Sequence, residues 1–198
     1  MALIDWTPLD SAFRLDGGIV RLRPPRSADY AEWAALREAS RGFLQPWEPT
    51  WARDDLSRTA YRRRLDSWQR DRDLGFSYPF FVFDAVGGAL TGGITLSNVR
   101  RGVTQTGVIG YWSGASAARR GFTLAAVRAV TRFAFGTLSL SRLEAACVPT
   151  NAASAALLLK AGFVEEGYAR AYLKINGQWR DHRLFGLNSR ERLQDCPD

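Results

Sequence analysis

Two strand-to-helix junctions in the second half of the chain, at 110–123 and 148–154, most constrain what it can fold into. Each follows a run of strand-forming residues, and each precedes apolar residues at helical spacing. Gly121 opens the first of these helices and Gly162 ends the second. Two such units in succession predict helices packed against a sheet, so the fold class is α/β (α+β).

The remaining pattern places more strands and two more helices around these junctions. Before Pro79 we expect a short strand at 19–23, a helix capped by Ser27, and a second helix from about 54 to 71. The strands predicted after Pro79 are 80–83, 89–98, 103–113, 142–148, 163–173 and 179–187. The predicted order is β-α-α-β-β-β-α-β-α-β-β, which gives a mixed, mostly antiparallel central sheet flanked by helices.

Length and boundary patterns favour one domain. The 198 residues contain no internal repeat and no low-complexity linker. We therefore expect an N-terminal extension at 1–18, a single domain at 19–190 and a short tail at 191–198. The segment 43–51, with two prolines and two tryptophans, is predicted to be irregular.

Composition excludes several classes of protein. Hydrophobic residues make up 46% of the chain and charged residues 24%, which is typical of a globular protein. No apolar run approaches the roughly 20 residues of a transmembrane helix, and the first ten residues carry Asp5 and Pro8 rather than a signal peptide. Cys147 and Cys196 are too few for a disulfide framework or a zinc site. We expect a cytoplasmic protein without a metal.

The formal net charge is +7, and it has two interpretations. Lys160 and Lys174 are the only lysines, so 25 of the 27 basic residues are arginines. One interpretation of this arginine bias is a GC-rich genome. The other is that some of the arginines attract a polyanion such as a cofactor phosphate or ribosomal RNA. Because the arginines form no long stripe and no RNA-binding motif is present, we expect neither a specific nucleic acid nor a membrane as partner.

The first junction has the residues of an anion site. Small residues at 114–118 lead to Arg119, Arg120 and Gly121 at the start of a helix. Backbone N–H groups at a helix N-terminus bind anions, and small residues allow a pyrophosphate to approach. The segment lacks the Lys-Ser/Thr of a Walker loop and the spaced glycines of a dinucleotide fold. The alternative is an ordinary turn that needs Gly121 for its geometry.

With the second junction included, the chain resembles the GNAT superfamily of N-acetyltransferases, most closely its RimJ/RimL-like group. The resemblance covers about 19–187. It rests on Asn151, Ser154 and Gly162-Phe163 at their spacing, on 40–49 with its Gln-Pro-Trp-Glu-Pro run, and on the ending 177–182. Members of that group acetylate the N-terminal amine of ribosomal proteins, so the resemblance implies an enzyme that uses acetyl-CoA as cosubstrate.

The resemblance also implies which residues hold the cofactor. The superfamily's pyrophosphate loop reads Gln/Arg-x-x-Gly-x-Gly/Ala, and here Ala118 and Thr123 depart from that pattern while Gly121 keeps it. The loop can still bind the pyrophosphate if its backbone N–H groups make the contacts, because side-chain substitutions leave these groups in place. The cofactor-binding residues expected from the family are Trp112, Ser113, Arg119, Arg120, Gly121, Phe122, Thr123, Asn151 and Ser154.

The same resemblance places Ser154 near the coenzyme sulfur, where its hydroxyl would protonate the leaving thiolate. The alternative is a helix hydroxyl that bonds back to a carbonyl. Asn151 would contact the cofactor, or it is an N-cap, and both roles are compatible. Backbone N–H groups near 111–113 would stabilise the thioester oxygen.

The acceptor side is less determined by the sequence. Trp47, Glu48, Tyr168 and Tyr172 are the candidate substrate-binding residues, and Glu48 is also the candidate catalytic carboxylate that meets the acceptor ammonium. Each has a structural alternative: a solvated loop carboxylate for Glu48 and packed rings for the aromatics. Glu144 and His182 are other candidate bases with structural alternatives.

The function predicted from these residues is acetyl transfer to a primary amine, most simply the N-terminal alanine of a ribosomal protein, by direct attack on the thioester. Two alternatives stay open: acetylation of a small amine such as a polyamine or aminoglycoside, and a ribosome- or RNA-binding module without turnover. A polycationic acceptor favours an acidic cleft, whereas this chain is basic overall. A monomer and a homodimer are both compatible with the sequence.

Overall fold

The fold is built on one eight-stranded sheet, seen in a computed structural model that describes residues 13–189. Its strands are β1 Leu15–Asp16, β2 Val20–Arg23, β3 Tyr78–Asp84, β4 Leu90–Arg100, β5 Thr106–Ser113, β6 Arg142–Cys147, β7 Val164–Ile175 and β8 Gln178–Asn188. They lie in the order β1-β2-β3-β4-β5-β6-β8-β7, and only β5 and β6 run parallel. The mixed, mostly antiparallel sheet is confirmed. Most of the predicted extension, the predicted tail and Cys196 lie outside the described residues.

Within residues 13–189, five α-helices flank the sheet. They are α1 Tyr30–Ala39, α2 Arg41–Leu44, α3 Arg58–Asp73, α4 Phe122–Arg132 and α5 Ala152–Lys160. The prediction that Ser27 caps the first helix is wrong, because residues 27–29 form a 3₁₀ turn in which the Asp29 carboxylate accepts from the Arg26 N–H at 2.8 Å. The cap of α3 is Ser57, whose hydroxyl oxygen accepts from the N–H of Ala60.

The segment 43–51 is more regular than the sequence indicated. Helix α2 runs directly into a 3₁₀ turn at Gln45–Trp47, so the irregular part begins only at Glu48. Pro46 fits this turn because the first positions of a helix need no N–H donor. Strand β1 was also not predicted; it is only two residues long.

The two faces of the sheet carry separate apolar clusters. On one face α4 and α5 pack against inward residues of the central strands, among them Ile109 and Leu143. On the other, α1 and α3 pack through Trp33 and Tyr61 against Phe81. Because side chains alternate along a strand, the neighbours of Ile109 and Leu143 point to the α1–α3 face.

Strands β5 and β6 separate part of the way along the sheet. Residues Thr106–Val108 of β5 pair with Arg142–Glu144 of β6. From Ile109 onward, β5 pairs with β4 alone. The ends that separate are the carboxyl ends, which lead into α4 and α5. The sheet therefore has a wedge-shaped opening beside the N-termini of these two helices, with an unpaired strand edge along it.

No helix among residues 13–189 is long and apolar enough to cross a membrane.

Candidate active site

The loop before α4 presents a row of unpaired backbone donors. Arg119 and Gly121 both have left-handed backbone conformations, with φ of 62° and 82°. Among residues 13–189, no backbone carbonyl accepts from the N–H groups of 119–123. Left-handed residues next to right-handed ones turn successive N–H groups toward one concave side, and the helix dipole adds positive potential there. This geometry can hold a phosphate or pyrophosphate.

The side chains of this loop range from exposed to buried. Arg119 and Arg120 are exposed, and the Arg120 guanidinium lies 3.6 Å from the Asp84 carboxylate and 4.6 Å from the centre of the Phe122 ring. Phe122 itself is buried in the core, and Thr123 is half-buried in the first turn of α4. The buried ring anchors the loop, while the two arginines add positive charge at its rim.

At the other side of the opening, α5 begins with a capped turn. The Asn151 side-chain oxygen accepts from the Ser154 N–H at 3.0 Å, so Asn151 is the N-cap of α5. The Ser154 hydroxyl lies 2.8 Å from the Tyr111 phenol oxygen. Because Tyr111 belongs to β5 and Ser154 to α5, this hydrogen bond links the two sides of the opening.

The environment of Ser154 favours hydrogen-bond donation. Burial raises the pKa of Tyr111 to about 12, so its phenol keeps its proton at neutral pH. Burial also raises the pKa of the Cys147 thiol, and the nearby Ser154 hydroxyl offsets part of that rise in pKa. The phenol can donate to the Ser154 hydroxyl oxygen at 2.8 Å or to the Ser154 carbonyl at 3.4 Å. In the first arrangement the Ser154 hydroxyl can direct its own proton toward a third partner.

Tyr111 was predicted from the sequence only as part of the strand edge at 111–113, through its backbone N–H group. A signal was available: Tyr111 stands two residues after buried Ile109, so strand alternation places it on the same face as α4 and α5. The sequence predicted no role for Cys147 in a disulfide or a zinc site, but Cys147 ends β6 on that same face.

Glu48 is held in an ion pair. Its two carboxylate oxygens accept from the Arg37 guanidinium at 3.2 and 2.5 Å, and the Trp51 indole N–H donates to the second oxygen at 2.8 Å. The Arg37 side chain is only 8% exposed, and its guanidinium lies 4.4 Å from the Trp51 ring and 5.0 Å from the Trp112 ring. Glu48 is therefore not a solvated loop carboxylate. Its partner Arg37 was not among the site residues predicted from the sequence.

The Glu48 loop and the end of α1 each form a hydrogen bond with another part of the site. The Glu48 carbonyl accepts from the N–H of Asn176 at the tip of the β7–β8 hairpin, at 2.8 Å. Just after α1, the buried Ser40 hydroxyl accepts from the N–H of Ala115 at 2.9 Å. The Trp47–Trp51 loop thus contacts the hairpin tip, while α1 is tied to the loop that follows β5.

We expect Glu48→Gln to destabilise the protein by about 3 kcal/mol, because it leaves the buried Arg37 charge without its counter-ion. That corresponds to a fall in Tm of about 6–12 °C for a chain of this size, measured by thermal unfolding. The matched control is Glu38→Gln, whose partner Arg41 is exposed; it should change Tm little. Equal Tm values for the two variants would contradict the structural role of the buried pair.

The predicted aromatic residues have different partners and degrees of exposure. Tyr172 is 46% exposed and packs against the buried His182 ring, with centroids 5.5 Å apart. Tyr168 instead donates its hydroxyl to Asp181 at 2.8 Å. Trp47 is half-buried at the end of its 3₁₀ turn. Their roles in binding an acceptor stay predictions.

The remaining candidates have structural partners. The Trp112 side chain lies over Gly93, where an added Cβ would come within 2.5 Å of the indole nitrogen. The Ser113 hydroxyl donates to the Gly114 carbonyl at 3.2 Å. His182 is buried, with Nδ1 3.0 Å from the Arg180 carbonyl, so it is placed as a structural residue of β8.

Residues 13–189 contain no group of three His, Cys, Asp or Glu side chains placed to bind a metal ion.

Comparison with known proteins identifies the family. Residues 20–164 match the family described as "Acetyltransferase (GNAT) domain". The chain is 34% identical to "Probable N-acetyltransferase YjcK" of Bacillus subtilis over 87% of this chain and 96% of that protein. It is also 34% identical to "[Ribosomal protein uS5]-alanine N-acetyltransferase" of Escherichia coli, over 76% of this chain and 77% of that protein.

A solved structure with the same fold is "Mycobacterium smegmatis RimJ in complex with CoA-disulfide". It is 33% identical to this chain, with a TM-score of 0.83, over 90% of this chain and 86% of that one. The relatives therefore share the architecture described above over most of its length.

Proposed function

The chain belongs to the GNAT acetyltransferase family and is an N-acetyltransferase of the RimJ/RimL type, and we propose that it transfers acetyl from acetyl-CoA to the N-terminal amine of a protein. The single observation that carries the proposal is the wedge between β5 and β6, which has phosphate-binding geometry at one side and the Ser154–Tyr111 pair at the other. The acceptor proposed is the N-terminal alanine of a ribosomal protein, as in the E. coli relative.

The residues present fit the cofactor. The unpaired N–H groups of 119–123 are suited to its pyrophosphate, and Gly121 adopts a backbone conformation that side chains disfavour. When bound, acetyl-CoA supplies the acyl group as a thioester. We propose that Trp112 and Ser113 contribute backbone to the unpaired edge of β5, and that Asn151 holds the first turn of α5 in place.

The chain's own groups then have separate tasks. N–H groups along the unpaired edge of β5 stabilise negative charge on the carbonyl oxygen as the amine attacks. The attacking amine loses one proton and the departing sulfur gains one, so CoA leaves as the thiol. Ser154 assists by donating a hydrogen bond to that sulfur, and Tyr111 orients the Ser154 hydroxyl through the 2.8 Å contact between their oxygens. Glu48 and Arg37 hold the Trp47–Trp51 loop against the hairpin tip, where it borders the acceptor side.

The proposal is tested by CoA release with a panel of acceptors. We expect turnover with short peptides that begin with alanine, and a kcat/KM for these at least tenfold above that for spermidine or an aminoglycoside. N-terminally acetylated versions of the same peptides are the matched control and should give none. Efficient turnover of the free small amines with indifference to peptide sequence would instead support a small-molecule acetyltransferase.

A further inference from the structure

A groove lies on the α1–α3 face of the sheet. Its volume is about 720 Å³, within the range of small-ligand sites. Val108 and Glu144 line it from the sheet, and Phe76 and Tyr172 line it from the end of α3 and from the β7–β8 hairpin. Both rings are about half exposed, which leaves apolar surface facing the groove.

The groove begins where β5 and β6 separate. Val108 and Glu144 are the last pair of the β5–β6 ladder before the opening. Their neighbours Ile109 and Leu143 are buried against α4 and α5, so Val108 and Glu144 point to the opposite face. A group that passes through the opening from the α4–α5 side therefore emerges beside the Glu144 carboxylate.

The charge of this region opposes that of the chain. Two arginines contact the carboxylate: Arg142 at 3.2 Å and Arg100 at 3.5 Å. Arg142 is shared with Glu166, and Asp71 also lines the groove. The charged residues that line the groove are the carboxylates Asp71 and Glu144 and the guanidinium group of Arg100, which leaves one negative charge in excess on a protein whose net charge is +7. Such a groove attracts a cation.

Glu144 and Glu48 differ in their capacity to take a new cation. Both Glu48 oxygens accept from one buried guanidinium, and one of them also accepts from Trp51. Glu144 is 35% exposed, and its contacts with the two arginines, at 3.2 and 3.5 Å, include none as short as the 2.5 Å contact between Glu48 and Arg37. Glu144 therefore has room for a further donor, whereas Glu48 is committed to Arg37.

We propose that Glu144 binds and orients the α-ammonium group of the acceptor, with the first side chains of an extended polypeptide lying between Phe76 and Tyr172. This inference rests on the proposed function and names the acceptor-binding residue of that same site. The occupant is a polypeptide N-terminus because the groove offers one charged end and two aromatic walls, which suits one ammonium followed by side chains.

The test compares Glu144→Gln with Glu166→Gln. Both variants remove one carboxylate from Arg142, but only Glu144 lines the groove. For Glu144→Gln we expect kcat/KM for an alanine-initiated peptide to fall about 10- to 100-fold, because a charge-assisted bond to the ammonium is lost. The affinity for acetyl-CoA should not change, and Glu166→Gln should retain most of the activity.

A binding measurement separates recognition from a structural effect. With CoA-loaded protein, the wild type should bind the free-amine peptide about tenfold more tightly than its N-acetylated form. Glu144→Gln should lose that preference, whereas Glu166→Gln should keep it. Phe76→Ala, which alters an exposed wall residue and not the core, should raise KM for the peptide severalfold.

Two failures are distinguishable. If the wild type acetylates peptides but Glu144→Gln behaves like Glu166→Gln in both measurements, the inference is wrong and the proposed function stands. If the wild type acetylates no peptide, the proposed function fails and the inference fails with it.

Discussion

Replacing Ser154 with alanine is expected to lower kcat about 100- to 1000-fold, the usual loss when one dedicated transition-state donor is removed. The cap of α5 survives the change, because Asn151 accepts from the Ser154 backbone N–H and not from its hydroxyl. The affinity for acetyl-CoA and the Tm should therefore stay close to those of the wild type. Steady-state kinetics, calorimetry and thermal unfolding check the three expectations.

Tyr111→Phe is the matched variant for this experiment. It removes the phenol that lies 2.8 Å from the Ser154 hydroxyl but keeps the ring in the core. Because Ser154 can still donate without that partner, we expect a smaller loss of kcat than in Ser154→Ala. An unchanged kcat in Ser154→Ala would mean that the hydroxyl only packs and bonds within the fold.

Gly121→Asp is expected to weaken acetyl-CoA binding by at least 100-fold, because like charges brought together in a binding site cost several kcal/mol. The added side chain has room, since the nearest atom to a new Cβ is the Cδ1 of Ile19 at 3.6 Å. In the wild type, acetyl-CoA at about 100 times its Kd should raise Tm by about 5–11 °C. That rise should disappear in the variant.

Gly121→Asn is the control for backbone strain. Asparagine has nearly the shape of aspartate and tolerates the left-handed conformation as well, but it carries no charge. Its acetyl-CoA affinity should lie much nearer to that of the wild type. Equal losses in the two variants would mean that backbone conformation and not phosphate repulsion is responsible, whereas an unchanged affinity in Gly121→Asp would mean that the loop is not the phosphate site.

Local patterns predicted the parts of the site that depend on neighbouring residues. The Gly121 turn, the Asn151 cap and the strands that precede them lie within short segments, so residue type and spacing were enough. The order of helices and strands followed for the same reason, with errors only at short elements such as β1 and α2.

What could not be predicted depends on residues far apart in the sequence. The separation of β5 from β6 is decided by pairing across 36 residues, and no local pattern marks where the ladder stops. The bond between Tyr111 and Ser154 spans 43 residues. Glu48 was singled out as a candidate, but its buried partner Arg37 lies on a helix whose pattern gave no reason to expect an inward-facing charge.

The central claim is tested most directly by locating the acetyl group on the product. The protein is incubated with acetyl-CoA and a peptide that begins with alanine and carries an internal lysine, and the product is sequenced by tandem mass spectrometry. We predict a single acetyl group on the α-amine of the alanine and none on the lysine side chain. Acetylation of the lysine, or no acetylated peptide while a free polyamine is acetylated, would contradict an N-terminal acetyltransferase.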